Sequence, residues 1–360
     1  MNRERHVARA DIGIGIGPGL CLVAGLSLGA VMAPSNALAQ WQPERPIEFV
    51  IQTSPGGGSD IYTRLWLGII EKYELSPVPF TPVNMPGGAG AVALTYLYSQ
   101  DGDPHYLTPT LNSIVTTPLQ QKIPVMYTSE DLTPVAMMTT DPFLLWVNPE
   151  KYKTWEEFHA ACKENRLTAT GTGARQEDEI QIGLIQEAAG CEPFRYVPQS
   201  GGGVVASNVA GGHSDFNVNQ PAEALPHFPD KLIPLVVFAK DRHPASPDTP
   251  THWELEIGTE NNNEYAELLD LETGLHQVRG LIGPPNMPED AKAWYDELFK
   301  KVFDSAEWQE FMKTNGMLGT YRGSEGYKEF LVTFEDNHVR MMRDVFGWEL
   351  RDDLRERTGG

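Results

Sequence analysis

A strand that runs through a glycine turn into a helix is the feature that most constrains this 360-residue chain. Residues 49–66 read FVIQTSPGGGSDIYTRLW, in which an apolar run is broken by the turn at 55–58. Ser59 and Asp60 follow, and both are residue types that begin helices. Backbone N–H groups at such a junction have no partner inside the helix. The junction therefore predicts an anion site.

Strand-like runs alternate with helical runs along the rest of the chain. This alternation predicts an α/β architecture with mainly parallel sheets. Glycine turns follow four of the predicted strands, at 56–58, 87–88, 171–173 and 201–203. Because ligands of open α/β sheets bind at the carboxyl ends of strands, these turns are expected to line one cleft.

The periodicity assigns most of the chain to particular elements. An acidic, Asn-rich stretch within 253–275 is instead predicted to be an irregular surface insertion. Strands are expected at 47–51, 79–83, 106–112, 132–138, 143–147, 167–170, 194–197, 215–219 and 232–238. Helices are expected at 60–73, 89–99, 154–165, 176–189, 204–210, 222–228, 289–303, 306–315 and 326–346.

Residues 1–39 have the pattern of a secretory signal peptide. Three arginines open the chain, an apolar stretch covers 12–32, and an A-x-A pattern ends at Ala39. An uncleaved membrane anchor is the alternative, although Pro18 and several glycines interrupt the apolar stretch. The segment carries three Arg, one Asp and one Glu, a net +1, so its removal changes the formal charge from −21 to −22. Such acidity argues against nucleic acid and anionic membranes as partners.

The remaining cysteines, Cys162 and Cys191, would in an oxidising compartment form one disulfide or remain two separate buried thiols. Both alternatives stay open. No C-x-x-C motif supports a zinc knuckle or a thiol-redox site. His213 and Asp215 have the spacing of two metal ligands, but no second cluster completes a site. We therefore expect neither a metal nor a cofactor.

The glycine turns do not fit phosphate chemistry. No lysine follows them as in a P-loop, and neither a G-x-G-x-x-G fingerprint nor a G-x-S-x-G elbow is present. A carboxylate needs only several donors, which backbone N–H groups at 57–60, 173–175 and 201–203 can supply. Arg175 either clamps the carboxylate or faces solvent beside Glu177 or Glu179. A secreted hydrolase that uses Ser59 or Ser113 is the alternative function.

Several motifs in a fixed order carry a resemblance to a known family. They are WQPERPI at 41–47, PGGGSD at 55–60, NMPGGAG at 84–90, DLTPVA at 131–136, YVP at 196–198 with glycines at 201–202, GGHSD at 211–215, and the GP and MP pairs at 283–288. In this order the chain resembles the extracytoplasmic solute receptors of tripartite tricarboxylate transporters, the Bug-type periplasmic binding proteins. The resemblance covers nearly the whole chain after residue 40.

The resemblance implies a type II periplasmic-binding-protein fold, with two α/β domains around a hinged cleft. Residues 41–141 and 241–360 would form domain 1, and 142–240 domain 2. It also implies a non-catalytic monomer in the periplasm. The loops after Ile51 and Thr170 would pinch one small organic carboxylate, and the closed form would dock on a two-component integral membrane permease. A sensor that signals to a kinase would use the same fold.

The sequence departs from the family pattern at three places in the cleft. Ala174 replaces a hydroxyl residue, Asn219 replaces an aspartate, and Gln199-Ser200 replaces an aromatic–lysine pair. These departures leave the far end of the ligand open. The candidate ligand set is Pro55, Gly56, Gly57, Gly58, Ser59, Asp60, Gly88, Asn112, Ser113, Thr172, Gly173, Ala174, Arg175, Ser200, Gly201, Gly202 and Asn219.

Overall fold

The computed structural model describes residues 41–199, 201–270 and 274–355. The predicted signal peptide and Ser200 lie outside the described residues. Within the described ranges, no helix combines the length and apolarity that crossing a bilayer requires. The strands there are β1 (Ile47–Ile51), β2 (Phe80–Asn84), β3 (Tyr106–Pro109), β4 (Thr133–Asp141), β5 (Leu144–Val147), β6 (Thr168–Thr172), β7 (Arg195–Gln199), β8 (Phe216–Asn219), β9 (Ile233–Val237), β10 (Gln277–Gly283) and β11 (Arg322–Gly323).

Helices cover these strands, and most lie where the periodicity placed them. In the described ranges they are α1 (Gly58–Lys72), α2 (Ala91–Tyr98), α3 (Ser113–Gln120), α4 (Thr128–Asp131), α5 (Trp155–Glu164), α6 (Glu177–Ala189), α7 (Gly202–Ala210), α8 (Pro221–Ala224), α9 (Glu260–Leu269), α10 (Glu289–Phe303), α11 (Ala306–Thr314) and α12 (Ser324–Arg340). The sequence analysis missed α3 and α4. The predicted α/β class is confirmed.

The strands form two sheets, ordered β11-β4-β10-β3-β1-β2 and β7-β6-β8-β5-β9. The expectation of mainly parallel sheets is wrong. β1 pairs in parallel with β2 and β3, and β6 with β7 and β8, but β4, β5, β9, β10 and β11 pair with other strands only antiparallel. The reason is that the chain crosses between the sheets. Only Pro142 and Phe143 separate β4 in the first sheet from β5 in the second, so β5 runs against its new neighbours.

Helix α1 is held to the first sheet by one buried face. Tyr62, Trp66, Ile69 and Ile70 are spaced at helical intervals, and all four are buried. The Trp66 ring lies 5.4 Å from that of Trp308 on α11. This packing fixes the amino end of α1 just beyond the carboxyl end of β1.

The prediction of an irregular insertion within 253–275 is wrong. Residues 260–269 form α9, which packs on α6, and its Ala266 and Leu269 are fully buried. The Trp253 indole donates a hydrogen bond to Asp270 Oδ2 at 2.7 Å. The short apolar stripe of this helix was not recognised in the sequence because the solvent face is acidic and Asn-rich.

The structure joins Cys162 to Cys191 by a disulfide, with 5.1 Å between their Cα atoms. Of the two alternatives that the sequence left open, the bond is the one formed. It ties the carboxyl end of α5 to the loop that follows α6.

Strand β10 is the main element that the sequence analysis missed. All seven of its residues are buried, and it pairs antiparallel with both β3 and β4. Gln277 and Arg279 interrupt its apolar pattern, and Gly280 is a weak strand former. A Cβ atom at Gly280 would lie 2.4 Å from the Ala136 carbonyl oxygen, so the close approach to β4 requires glycine.

Candidate ligand-binding cleft

A cleft with a volume of about 610 Å³ is lined by loops from both sheets. The carboxyl ends of β1, β3, β6 and β8 meet there, together with the amino end of β10. Of the candidate ligand residues, the cleft wall contains Gly57, Gly58, Asn112, Ser113, Thr172, Gly173, Gly201, Gly202 and Asn219.

The amino end of α1 has unused donors, the first of which, Gly58, lies on the cleft wall. The N–H groups of Gly58, Ser59 and Asp60 have no acceptor within the described part of the chain. Those of the two preceding residues are used, because Gly57 donates to the Ser54 carbonyl at 3.0 Å and Gly56 donates to Asp60 Oδ2 at 2.9 Å. Three adjacent free N–H groups at a helix start attract an anion.

The prediction that Ser59 and Asp60 cap this helix is wrong, since the N-cap is Gly57 and has no side-chain bond. The Asp60 carboxylate turns away from the cleft and is bound by Arg64, Asn84 and the Gly56 N–H group. The Arg64 hydrogen bond is the main cause that lowers the pKa of Asp60 to about 2. The negative charge of Asp60 therefore lies beside the start of α1, and it does not occupy the space in front of the free N–H groups.

Arg279 on β10 faces the same donors and was not predicted. Its side chain is 10% exposed, and its Nε donates to Asp141 Oδ2 at 2.8 Å. An ideal Cβ atom built at Gly58 would lie 3.8 Å from Arg279 Nη1, so the guanidinium reaches the amino end of α1. A single arginine in a buried strand was the available sequence signal.

The second loop differs from the sequence-based expectation. Its N–H groups at 173–175 were predicted to hold the ligand, but the protein itself already binds those of Gly173 and Arg175, together with that of Thr172. Thr172 donates to Asp178 Oδ2 at 2.7 Å, Gly173 donates to the Gln199 carbonyl at 3.0 Å, and Arg175 donates to Glu179 Oε2. Of the donors predicted in this loop, only the N–H group of the exposed Ala174 has no acceptor in the described ranges, so the first loop offers the larger set of free donors.

Three carboxyl groups also line the cleft. Burial is the main cause that raises the pKa of Glu177 to about 8, that of Asp178 to about 7 and that of Glu223 to about 8. The Glu223 carboxyl lies against the amino end of α7, where a Cβ atom at Gly202 would be 2.0 Å from Glu223 Cδ. The amino ends of α6 and α7 thus already face carboxyl groups of the protein.

Several buried polar atoms on the cleft wall have no hydrogen-bond partner among the described residues. They are Gln52 Nε2 and Oε1 and Thr53 Oγ1. Leaving a buried donor or acceptor unpaired costs about 1–3 kcal/mol. A polar ligand in the cleft would pair with these atoms.

The sequence profile described as "Tripartite tricarboxylate transporter family receptor" matches residues 79–343, more than half of the chain. The chain belongs to this family. The resemblance noted from the motifs is therefore confirmed, and so is the periplasmic-binding-protein fold of two α/β lobes.

Relatives of this receptor support the same assignment. A UPF0065 protein of Cupriavidus necator is 26% identical over 336 residues, which cover 92% of this chain and 94% of that protein. MatC from Rhodopseudomonas palustris, solved with malate, superposes with a TM-score of 0.66 at 23% identity over 84% of this chain and 99% of MatC. Rpa4515 from R. palustris, solved with adipate, gives a TM-score of 0.70 at 16% identity over 85% and 98% of the two chains.

Asn112 lies on the wall of this receptor's cleft but is bound to the protein. Its Nδ2 donates to the His276 carbonyl at 2.7 Å, and its Oδ1 accepts the Val278 N–H group at 3.0 Å. The side chain therefore anchors β10 beside the loop after β3. Asn112 would therefore contact the ligand, as predicted, only through its backbone or after a local rearrangement.

Other candidates lie off the cleft wall. The exposed Arg175 guanidinium lies 5.7 Å from the centre of the Trp348 ring, an arrangement that neither sequence alternative anticipated. The Gly88 carbonyl accepts a hydrogen bond from Gln121 at 3.1 Å. Pro55, Gly56 and Ala174 are exposed beside the loops that they were expected to serve.

No arrangement of side chains in the described ranges supports the hydrolase alternative. The Ser59 hydroxyl is buried and accepts a hydrogen bond from Tyr62 at 3.3 Å. Neither Ser59 nor Ser113 is hydrogen-bonded to a histidine in the described ranges. Those ranges also contain no group of three His, Cys, Asp or Glu side chains placed to hold a metal.

Proposed function

We propose that this receptor captures a small organic carboxylate at the amino end of α1. The observation that carries the proposal is the row of open N–H groups at Gly58, Ser59 and Asp60, whose first member lies on the cleft wall beside the Arg279 guanidinium. Free N–H groups at a helix start bind anions, and an arginine guanidinium can form two parallel hydrogen bonds with a carboxylate. The malate and adipate bound to two structural relatives support the same ligand class.

The two sheets support the proposed division into domains. Residues 41–141 and 241–360 would form domain 1 and contain all strands of the first sheet, and 142–240 would form domain 2 and contain all strands of the second, although α9 packs on α6, which belongs to domain 2. The short link between β4 and β5 is one crossing and would serve as part of a hinge. Closure of the domains would place the acidic wall over the bound carboxylate.

The family membership supports the proposed role in transport. After removal of residues 1–39, the monomeric receptor would act in the periplasm and deliver its ligand unchanged to a two-component integral membrane permease. The family membership also supports capture without catalysis.

A thermal-shift screen of residues 40–360 against small carboxylates tests this function. The matched control for each compound is its primary amide, which has a similar shape but no charge. At about 100 Kd a ligand should stabilise the fold by roughly 2.7 kcal/mol, whereas the amides should not. Mass spectrometry should recover the carboxylate unaltered. Stabilisation by no carboxylate, or a chemically changed ligand, would contradict the proposal.

A further inference from the structure

The chain after α12 is fixed to the proposed domain 1 by a buried arginine. We call residues 341–355 the C-terminal segment. The Arg351 side chain in this segment is 5% exposed, and its backbone N–H group donates to the Leu119 carbonyl at 2.9 Å. Its guanidinium donates to three more backbone carbonyl oxygens at 2.9 to 3.3 Å, those of Pro118, Ile123 and Val125. All four acceptors belong to α3 or to the loop that follows it, so domain 1 anchors the segment.

The same segment also contacts the proposed domain 2. The Phe346 ring packs on Gly183 in the interior of α6, where an ideal Cβ atom would lie 2.6 Å from Phe346 Cε1. Glycine is therefore required there, because carbon atoms in contact lie about 3.5–4.0 Å apart. The Trp348 ring lies 5.3 Å from the Phe346 ring, and its centre is 5.7 Å from the Arg175 guanidinium carbon. None of these four residues lines the cleft, so this contact between the domains lies outside it.

Arg175 connects this contact to the second loop of the cleft. Its φ of 55° is in the left-handed region, a costly conformation for a residue with a Cβ atom, which persists only where neighbours hold it. Domain 1 supplies two of the holding contacts. Gln120 on α3 donates to the Arg175 carbonyl at 3.1 Å, and the Thr116 hydroxyl donates to Gln176 Oε1 at 3.0 Å. Gln176 lies on the cleft wall, so the geometry of this wall depends on contacts with domain 1.

We propose that Phe346 and Trp348 are positioning residues for ligand binding. They hold α6 and the turn at Arg175 against domain 1, and so keep the second loop of the cleft at the distance from α1 that a bound ligand spans. The inference rests on the proposed capture of a ligand between two domains, whereas the role of the C-terminal segment is new. Because these contacts join the domains, they break when the domains separate. Their loss should lower the population of the binding-competent arrangement, and the apparent affinity should fall by the same factor.

Gly183→Ala tests the contact without changing a residue of the cleft wall. The added methyl group must displace the Phe346 ring, so the tightest-binding carboxylate should bind about fivefold more weakly, mainly through faster dissociation. Phe346→Ala should weaken binding alike. The double variant should bind no more weakly than Phe346→Ala, because the methyl group then meets no ring.

Gly68→Ala is the matched control. It gains the same helix propensity in the interior of α1, its Cβ position has open space, and its affinity should stay within about twofold of the wild type. A merely structural role of Phe346 would lower the melting temperature and leave the affinity of the folded protein unchanged. Wild-type affinity in both single variants, or losses that add in the double variant, would overturn the proposal.

An inter-domain distance tests the segment without any ligand. Spin labels attached after Glu71→Cys on α1 and Lys231→Cys in domain 2, both exposed positions, report this distance by double electron–electron resonance. In the ligand-free protein, Gly183→Ala and Phe346→Ala should broaden or lengthen the distance distribution, and Gly68→Ala should not. An unchanged distribution in both variants would overturn the role of the segment even if carboxylates bind. Binding of no carboxylate by the wild type would instead overturn the proposed function.

Discussion

The Asp178 carboxylate accepts the Thr172 N–H group at 2.7 Å, so the second loop of the cleft holds a carboxylate of the protein itself. The first loop has no such internal acceptor for Gly58, Ser59 and Asp60. The two loops look alike in sequence, but the first has three adjacent free N–H groups, whereas those of Thr172, Gly173 and Arg175 in the second are bound by the protein. This asymmetry determines which loop of the cleft binds the ligand carboxylate.

This asymmetry predicts that two substitutions of Asp178 differ in their effect on stability. Asp178→Ala leaves the Thr172 N–H group without an acceptor and should lower the free energy of unfolding by about 1–3 kcal/mol. Asp178→Asn keeps an acceptor oxygen and removes a buried charge, so it should stay within about 1 kcal/mol of the wild type. Urea unfolding measures both. Equal losses in the two variants would mean that the hydrogen bond contributes nothing.

Glu223→Gln should raise stability at high pH. Burial raises the pKa of Glu223 from 4.5 to about 8, so the folded protein is destabilised as the pH rises between these values and the group must ionise. The variant should exceed the wild type by a few kcal/mol near pH 9 and match it near pH 4.5. Melting temperatures across this range test the sign, with Glu187→Gln as the exposed control. A variant that is less stable at pH 9 would refute the argument.

The disulfide should contribute substantially to stability. Cys162 and Cys191 are 29 residues apart, and closing a loop of that length is worth about 3–4 kcal/mol on the chain-entropy account. The double variant Cys162→Ser, Cys191→Ser should lose that amount in urea unfolding, and the reduced wild type should behave alike. A loss below about 1 kcal/mol would show that the bond is not important for the fold.

Substitutions in the Arg279–Asp141 pair should separate an effect on stability from an effect on ligand binding. Arg279→Gln leaves a buried carboxylate without its cation and should cost about 3–5 kcal/mol, whereas adding Asp141→Asn should recover much of that loss. Because the guanidinium is missing in both, both should bind carboxylates more weakly. Unfolding and calorimetry of the single and double variants test the two effects. Wild-type affinity in the double variant would show that Arg279 does not contact the ligand.

Sequence reasoning predicted features that local pattern determines. The first loop could be recognised because a strand, three glycines and a helix start lie within residues 49–66. The motif order indicated the family, which the profile match confirms. The helices from α10 onward were found because each has a long apolar stripe.

Features that depend on distant partners could not be predicted. Whether the Gly173 N–H group is free depends on Gln199, the strand neighbour that accepts its hydrogen bond. Arg279 was missed because β10 carries polar residues and glycine and is stabilised by two neighbouring strands. The roles assigned to the cleft residues remain predictions that only ligand binding can test.

The central claim is that open N–H groups at the start of α1 bind the ligand carboxylate, and one backbone substitution tests it most directly. Gly58 is the first helical residue, where proline is well tolerated, and Gly57 before it is extended at φ −71° and ψ 163°, as a residue preceding proline should be. Gly58→Pro therefore deletes a single N–H donor with little change to the helix. Gly58→Ala is the matched control, since it keeps the donor and places its Cβ at an ordinary 3.8 Å from Arg279 Nη1.

Calorimetric titration of both variants with the tightest-binding carboxylate gives the decisive comparison. The account predicts that Gly58→Ala binds within about threefold of the wild type, and that Gly58→Pro binds about tenfold or more weakly at unchanged melting temperature. Equal affinity of the two variants would contradict it, because the ligand carboxylate would then lie elsewhere.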